Sequence, residues 1–515
     1  MTAPSGFLVS ALWPHLLALY GVTLLPLAVG LPPIVAIVES VYVMTGREIW
    51  KQIARFWGRL LGVVLLMWAI GSIVLTLLYV ADANRFTRYI HGTPGPALIM
   101  FFLPFVFAFG LLLWNWFRDW WSLGRVKHLL VTWLWVPLSG LAVLKFAIGF
   151  GLLDSPAGVD LDAGSLQVWI YDVPAVLLNP AAQSRFVHLM AACYLVAATL
   201  VLSLSAWYLL NRRNVQIARR SLTVAASFGL AAALSLAVLG DHRGYAASSG
   251  QQMRIAAIAA EWHTQKQPAP FTVFGIPDMQ NRTTHAALNI PWVLGLGATH
   301  SWRKSVPGLD ELEAVNVARI HDGVAAFTVM DTPWANPAGA GDLAFDLEDT
   351  PNLGYGMLLL RRAARPAHAT DAQIAAAARD TIPNVPLLFW TFRIMALLGV
   401  YGIALFGCAF WFASKRRLDR NWFLRMAAWS LPVPWIAGAL GWIVSEAGRG
   451  PWLVDGILPV TEMHLGRPEL IIAVIGVTAI AVLVVMGTVL ITRLVRIGPE
   501  GLKLWPVDPG LKRTW

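Results

Sequence analysis

The sequence predicts an all-α integral membrane protein of about nine transmembrane helices, and two observations carry this prediction. Hydrophobic residues make up 57% of the 515 residues and charged residues only 13%, whereas soluble domains are roughly half apolar and a quarter charged. The apolar residues are also concentrated in runs of about 20, the length that a helix needs to cross the hydrocarbon core of a bilayer. A soluble fold could not bury this much apolar surface.

Nine segments combine this length with a low content of charge. They are 14–42, 60–81, 94–117, 129–153, 186–211, 221–240, 386–412, 423–445 and 468–492. The first segment differs from a secretory signal, because no Lys or Arg precedes it and it is longer than the apolar core of a signal peptide. We therefore expect it to remain in the mature protein.

Basic residues in the connecting loops predict the orientation, because Lys and Arg are enriched in cytoplasmic loops. They cluster after the odd-numbered segments, for example Arg47 and Lys51 after the first, and Arg212 and Arg213 after the fifth. The connection after the fourth segment instead carries Asp residues and no Lys or Arg before Arg185. The N-terminus is thus predicted outside and the C-terminus inside. This asymmetry accounts for most of the net charge of +10, and no nucleic-acid partner is expected.

The connection between the sixth and seventh segments is the one long part of the chain that is not strongly apolar. It mixes Pro, Gly and charge with helical patterns at 309–330 and 371–380, and a connection of this length is usually functional. The predicted organisation has three parts: transmembrane segments in 1–240, an external loop in 241–385, and transmembrane segments with a cytoplasmic tail in 386–515.

Ionisable and metal-ligating side chains inside the apolar segments are functional candidates, because they are costly in a bilayer. His188 lies near the predicted outer start of the fifth segment, and Arg393 and Met395 lie near that of the seventh. Imidazole and thioether groups are axial ligands of haem iron, and Arg can neutralise a haem propionate. An isolated His in a helix is more often a hydrogen-bonded core residue. Spacing alone leaves both interpretations open.

Ordered sequence blocks over nearly the whole chain resemble subunit I of the cytochrome bd quinol oxidases. They include ESVYVMTGREIWKQIARFWGRLLG at 39–62, LNPAAQSRFVHLMAACY at 178–194, FTVFGIPD at 271–278, FRIM at 392–395 and GWIVSEAGRGPW at 441–452. The resemblance implies nine helices, an external loop that binds membrane quinol, and a location in the bacterial cytoplasmic (inner) membrane. It also implies a subunit II-like membrane partner, with a small single-helix subunit as a further candidate.

The resemblance assigns roles to the candidates in the fifth and seventh segments. It implies that His188 and Met395 are the axial ligands of a low-spin haem b and that Arg393 lies beside this haem. Two axial protein ligands leave no open position on the iron for oxygen, so this centre would only transfer electrons.

The outer end of the eighth segment matches the family as well. The resemblance implies that Glu446 is a ligand for the iron of a second, high-spin haem b, with Trp442 and Arg449 as neighbours. The alternative for Glu446 is a carboxylate in water at a helix end.

Departures from the family pattern affect oxygen reduction. The first segment reads YGVTLLPLAVG, which places Gly21 where the family has the His ligand of haem d. Glycine has no ligating side chain, and His15 lies on another helical face. Pro104 replaces one of two buried glutamates of the third segment, so no carboxylate relay for protons is visible from the inside. The fourth segment gains Lys145, either as a snorkelling side chain or in a new role.

The predicted quinol loop keeps one family feature and lacks another. Arg254 stands where the family has a Lys and keeps the positive charge, whereas Ala259 replaces a Glu that would accept a proton from quinol. A neighbouring carboxylate such as Glu261 would then have to accept the proton.

These residues favour one function and leave two alternatives. The favoured function is a haem b-containing, subunit I-like component of a bd-type quinol oxidase complex that passes electrons from quinol through haem. The family resemblance favours an ordinary subunit that also reduces oxygen, whereas Gly21 and the loss of the acids in the third segment argue against it, so oxygen reduction by the chain itself stays open. The first alternative is a diverged electron-transfer paralogue without haem d and without oxidase activity. The second is a haem-free scaffold or transport subunit, against which the retained His188, Met395 and Glu446 argue.

Overall fold

The computed structural model describes most of the predicted membrane segments. The described residues are 19–86, 90–91, 110, 124–162, 167–248, 251–265, 267, 269–299, 301, 303–334, 352–363, 366–460 and 467–501. Within them, eight helices are long and apolar enough to cross a membrane, and they coincide with eight of the nine predicted segments. The third predicted segment, 94–117, lies outside the described residues except for Gly110, as do His15 and Pro104. The count of nine stays a prediction.

Within these described ranges the chain is mostly helical and contains three small sheets. In chain order the elements are α1 (Leu25–Thr45), α2 (Glu48–Phe86), β1 (Ile90–His91), α3 (Arg125–Asp154), β2 (Val159–Asp162), β3 (Gln167–Ile170), α4 (Val173–Leu177), α5 (Pro180–Leu210), α6 (Val215–Ser248), α7 (Gln252–Ala259), β4 (Phe271–Asp278), β5 (Thr283–Ile290), α8 (Val293–Thr299), α9 (Leu309–Trp334), α10 (Leu353–Met357), α11 (Asp371–Arg379), α12 (Val385–Ser414), α13 (Asn421–Trp429), α14 (Val433–Arg449), β6 (Trp452–Val454), β7 (Leu458–Pro459) and α15 (Arg467–Gly501). Short 3₁₀ turns occupy Leu358–Arg361 and Pro366–His368.

Capping residues determine where two of the long helices begin. The Asn179 side chain accepts a hydrogen bond of 2.9 Å from the backbone amide two residues later, at the start of α5. The Asn384 side chain accepts one of 3.0 Å from the amide three residues later, at the start of α12. Each cap accepts a hydrogen bond from a backbone N–H that has no acceptor within the first helical turn, and the Pro in that turn has no N–H that needs an acceptor. These caps fix how far His188 and Met395 lie from the ends of their helices.

The largest hydrophobic core joins the membrane-length helices, and α5 is central to it. It packs along α6 and also contacts α1, α3 and α13. At Gly30 of α1 there is no room for a side chain, because the backbone carbonyl of Cys193 on α5 occupies that space. Small residues of this kind let helix backbones approach closely inside a membrane.

Large apolar side chains remain exposed along α12 and α15. On α12 these include Leu397, Val400 and Trp411, which are 61–66% exposed, and α15 presents Val482 and Val485 in the same way. Apolar faces of this length fit contact with lipid or with another membrane protein. The exposure therefore agrees with the predicted membrane environment.

The eighth predicted segment, 423–445, is not one continuous helix. It is divided into α13 and α14, and the break lies between Trp429 and Val433. Pro432 has no backbone N–H to donate to the preceding turn, and Pro434 occupies the first turn of α14. The Ser430 hydroxyl donates to the Met426 carbonyl at 2.7 Å and so closes the end of α13.

The insertion between α6 and α12 has a folded structure of its own. The helices predicted at 309–330 and 371–380 are confirmed as α9 and α11. A hairpin of β4 and β5, paired antiparallel, was not predicted. Its turn is stabilised by Asp278, whose side chain accepts hydrogen bonds from the backbone amides of Gln280 and Asn281 at 2.8 and 3.2 Å. The strands are short, so the class remains mostly helical.

Candidate functional site

The two predicted axial ligands lie at the same end of the bundle. At this end, called the His188 end below, α5 and α12 begin and α6 and α14 finish. The His188 ring packs against Gly240 of α6, where an added Cβ would lie 3.6 Å from Cε1. A Cβ added at Gly441 of α14 would lie 3.0 Å from the Met395 sulfur. Each candidate ligand thus packs against a glycine on a neighbouring helix, and the absence of a Cβ lets the imidazole and the thioether approach these helix backbones closely.

The side chains of His188 and Met395 are an imidazole and a thioether, a pair of groups that can ligate haem iron. His188 and Met395 come from different helices, α5 and α12, and both helices pack against α6. Both side chains are half-buried.

The Arg393 guanidinium points to backbone carbonyls of the external insertion. Its Nε donates to Thr272 and Val273 at 3.0 Å each. Its Nη1 donates to Ile258 at 2.9 Å and to Phe389 at 2.8 Å, and its Nη2 donates to Thr272. Arg393, which the sequence predicted to lie beside a haem, therefore also connects α12 to α7 and β4. The sequence did not indicate this connection.

Glu446, Trp442 and Arg449 all lie on α14, and Glu446 and Arg449 contact each other at its end. The buried carboxylate of Glu446 accepts a 2.6 Å hydrogen bond from Arg449 Nη2. The Trp442 ring packs edge-on against Phe150 of α3, with centroids 4.9 Å apart. Glu446 is thus a buried, paired carboxylate, and the alternative of a solvated helix-end residue is wrong for this structure.

An aspartate that the sequence analysis used only as a marker of the external loop lies at the centre of this region. Asp154, at the end of α3, forms an ion pair with Arg185 of α5 and lies 3.4 Å from Arg449 Nη1 and 4.0 Å from Arg254 Nη1. Buried charges require such pairing. These three arginines with Asp154 and Glu446 are called the arginine cluster below. An acid at the outer end of an apolar segment is the sequence signal that could have identified Asp154.

The predicted quinol residues lie on and just after α7. Burial lowers the pKa of the Arg254 guanidinium, and the nearby Asp154 carboxylate opposes this effect. Glu261 is 2% exposed, and its Oε1 makes no hydrogen bond among the described residues. Burial raises the pKa of Glu261 to about 7, although a hydrogen bond from the Gln265 side chain partly offsets this increase. A carboxylate with this pKa can take up a proton near neutral pH.

A second carboxyl group with a raised pKa, Asp455, was not predicted. It follows β6, and its backbone amide donates to the Leu153 carbonyl at 3.0 Å. Burial raises the pKa of Asp455 to about 7, while the charges of Arg254 and Arg449 oppose the shift and Asp154 adds to it. The arginine cluster therefore has a titratable neighbour outside the membrane segments.

The surroundings of Gly21 do not fit haem d. A Cβ added at Gly21 would lie 3.1 Å from Phe146 Cε2, so an aromatic ring occupies the space beside the glycine. The Phe146 ring packs against Phe150 at 4.6 Å and lies 6.4 Å from Trp442, between centroids. Among the described residues here, neither the glycine nor these rings offers an iron ligand. The neighbouring Lys145 lies on the exposed face of α3.

A buried polar group at the opposite end of the bundle was missed by the sequence analysis. Glu39 of α1 lies 2.5 Å from His128 Nδ1 and accepts a 2.6 Å hydrogen bond from the Thr132 hydroxyl of α3. All three residues are buried. The acid sits in an otherwise apolar segment, which is the signal that could have identified it.

The membrane-length helices, with an imidazole and a thioether at one end of the bundle, define a membrane protein with candidate haem ligands. Comparison with known proteins identifies its family. The family model described as cytochrome bd terminal oxidase subunit I matches residues 15–499. The chain belongs to this family, as the sequence blocks predicted. Members of this family carry haem and normally pair with a subunit II membrane protein.

Individual relatives agree with this assignment. The chain is 35% identical over 499 residues to cytochrome bd-II ubiquinol oxidase subunit 1 of Escherichia coli (strain K12), covering 95% of this chain and 96% of the relative. It is 25% identical over 448 residues to cytochrome bd ubiquinol oxidase subunit 1 of Bacillus subtilis (strain 168), covering 85% and 81%. The predicted location, as a multi-pass protein of the bacterial cytoplasmic membrane, is confirmed by these relatives and the apolar helices.

A solved structure has the same fold. The bd oxidase from Geobacillus thermodenitrificans superposes with a TM-score of 0.72 at 18% identity, covering 97% of this chain and 100% of that chain. At this identity the likeness supports the fold alone.

Proposed function

We propose that the chain is a haem b-containing component of a bd-type quinol oxidase complex that passes electrons from membrane quinol through haem. The observation that carries the proposal is the pairing of His188 and Met395 with Gly240 and Gly441 at one end of the bundle. The side chain of Phe146 at Gly21 favours the alternative in which the chain lacks haem d and does not reduce oxygen itself.

In this proposal His188 and Met395 hold a low-spin haem b, which supplies reversible one-electron transfer when bound. The imidazole and the thioether fix the depth of the site, because the caps of α5 and α12 determine where both helices begin. Glu446, with Trp442 and Arg449 as neighbours, is proposed as a ligand in a second, high-spin haem b site. The 2.6 Å hydrogen bond from Arg449 Nη2 orients the Glu446 carboxylate.

Quinol is proposed to bind at the external insertion in 241–385, next to Arg254 and Glu261. Arg254 is a buried residue of α7 that brings a positive charge to this region, and its Nη1 lies 4.0 Å from the Asp154 carboxylate. Glu261 accepts a proton from quinol, because its buried carboxyl group has a pKa of about 7. The family's acceptor position, Ala259, is buried and has no such group.

The proposed topology has the N-terminus and the His188 end outside and the C-terminus inside, so protons from quinol are released outside. The basic loops support this orientation. The proposed partners are a subunit II-like membrane protein and a small single-helix subunit. The exposed apolar faces of α12 and α15 are suited to a membrane partner or to lipid.

The test is a dithionite-reduced minus air-oxidised spectrum with pyridine haemochrome analysis on the complex purified from native membranes. His188→Ala should abolish the low-spin haem b signal, because it removes one axial ligand. The matched control is His285→Ala on the exposed hairpin strand β5, which should leave the spectrum unchanged. An unchanged spectrum in His188→Ala would sink the ligand assignment, and a far-red haem d band in the native complex would contradict the loss of haem d.

A further inference from the structure

One arginine side chain connects the external insertion to the helix that carries Met395. The hydrogen bonds of Arg393 reach the last turn of α7 at Ile258 and the first residues of β4 at Thr272 and Val273. The guanidinium carbon also lies 3.2 Å from the ring centroid of Phe389 and 4.8 Å from that of Phe271. Segments more than 100 residues away in sequence thus meet on one side chain.

The chemistry of these contacts requires a guanidinium. The acceptors are backbone carbonyls, and carbonyls at the end of a helix such as α7 have no partner within the helix. Arginine offers five N–H donors in a planar fork that also stacks on aromatic rings, whereas lysine concentrates its three donors on a single nitrogen. All three guanidinium nitrogens of Arg393 donate to backbone carbonyls. Nε and Nη2 both donate to the Thr272 carbonyl, and Nη1 donates to that of Ile258. A lysine would keep the charge and lose most of these bonds.

We propose that Arg393 is a positioning residue that fixes the quinol-binding part of the insertion on α12, next to the iron ligand Met395. Arg393 and Met395 are two residues apart on this helix. Arg254 lies on α7, whose last turn Arg393 holds, and Glu261 follows directly. The inference rests on the proposed function, and it assigns to Arg393 a role different from neutralising a haem propionate.

Two substitutions separate the two roles. Arg393→Lys keeps the positive charge and removes the fork, whereas Arg393→Gln removes both. If Arg393 positions the insertion, both variants should raise the quinol concentration that half-saturates haem reduction by about tenfold, the effect of losing one or two hydrogen bonds. The maximal rate of haem reduction, the haem content and the dithionite-reduced spectrum of Arg393→Lys should stay as in the native complex. A role in charge alone predicts native behaviour for Arg393→Lys and a lowered haem potential for Arg393→Gln.

The matched control is Arg282→Lys in the same insertion. Arg282 forms ion pairs with Asp310 and Glu313, which both lie on α9 and not on α12. This variant should leave the half-saturating quinol concentration unchanged.

Hydrogen–deuterium exchange on the native and variant complexes tests the attachment without quinol. Peptides that cover 252–275 should exchange faster in Arg393→Lys than in the native complex, and not in Arg282→Lys. Unchanged exchange in Arg393→Lys overturns the positioning role of Arg393, whether or not quinol reduces the native haem. A native haem that quinol does not reduce would instead contradict the proposed function. The two measurements therefore distinguish failure of the inference from failure of the proposed function.

Discussion

At the scale of single residues, burial determines which carboxyl groups can exchange protons near neutral pH. Glu261 has an ordinary pKa of 4.5, and burial raises it to about 7 in the folded chain. The nearby Glu311 keeps a lowered pKa, because hydrogen bonds from Thr264 outweigh the effect of its burial. Since the Glu261 pKa is raised, its contribution to folding stability is present below about pH 4.5 and is lost as the pH rises through about 7.

The raised pKa predicts how quinol oxidation depends on pH. Only ionised Glu261 can accept a proton, so the rate of quinol-driven haem reduction should rise as the pH increases through about 7. Glu261→Gln should lower the rate by roughly 100-fold and remove this rise, because the amide cannot take up the proton. The control Glu313→Gln, which removes a carboxylate that pairs with Arg282, should keep the pH profile. A stopped-flow pH series that shows the same rise in Glu261→Gln would exclude this role.

At the scale of elements, aromatic side chains fill the region where α1, α3 and α14 meet. Phe146 and Phe150 project from successive turns of α3, and Trp442 projects from α14. Gly21 precedes α1 in the same helical span and contacts the Phe146 ring. With this packing, a larger ligating side chain at Gly21 would require the Phe146 ring to move.

The packing predicts that a histidine placed at Gly21 will not by itself create a haem site. Gly21→His should add no haem, because the new side chain meets Phe146 at 3.1 Å from its Cβ. Combining Gly21→His with Phe146→Ala should permit extra haem binding, although the Phe→Ala change alone costs about 3–5 kcal/mol of stability. The measurement is the haem-to-protein ratio from pyridine haemochromes, with Phe146→Ala as the control. An increased ratio in Gly21→His alone would show that Phe146 does not block the position.

At the scale of the whole molecule, the arginine cluster joins the membrane bundle to the external insertion. Asp154 ends α3, Arg185 lies near the start of α5, and Arg449 ends α14. Arg254 adds the helix α7 from the insertion. One carboxylate is therefore shared among elements that lie far apart in the sequence.

Removal of this carboxylate should destabilise the whole molecule. Asp154→Asn leaves three buried guanidinium groups with less compensating charge, and breaking a buried pair costs about 3–5 kcal/mol. The control Asp172→Asn changes an aspartate that only caps α4 through a 3.0 Å hydrogen bond, so it should cost about 1 kcal/mol or less. Thermal unfolding of the complex, followed by tryptophan fluorescence, should rank the two variants in this order. Equal midpoints would argue against a central role for Asp154.

Long-range pairing explains which parts of the site the sequence could predict. Glu446 and Arg449 are one helical turn apart, so local sequence predicted their proximity, and their hydrogen bond is present. Asp154 and Arg449 are separated by 295 residues, and no local pattern links them. The same holds for Arg393 and Thr272, which are 121 residues apart. The break between α13 and α14 was missed although Pro432 marks it, because a long apolar run suggests one helix.

The sequence by itself determined the class, the membrane segments and the family, because apolar length and ordered motifs are properties of local stretches of chain. Tertiary structure decided what each polar side chain contacts. It brought Asp154 to three arginines, turned Arg393 toward the insertion and set Phe146 against Gly21. The physical reason is that a buried charge or ring is stabilised by whichever partners the packed helices supply, and those partners come from distant parts of the chain.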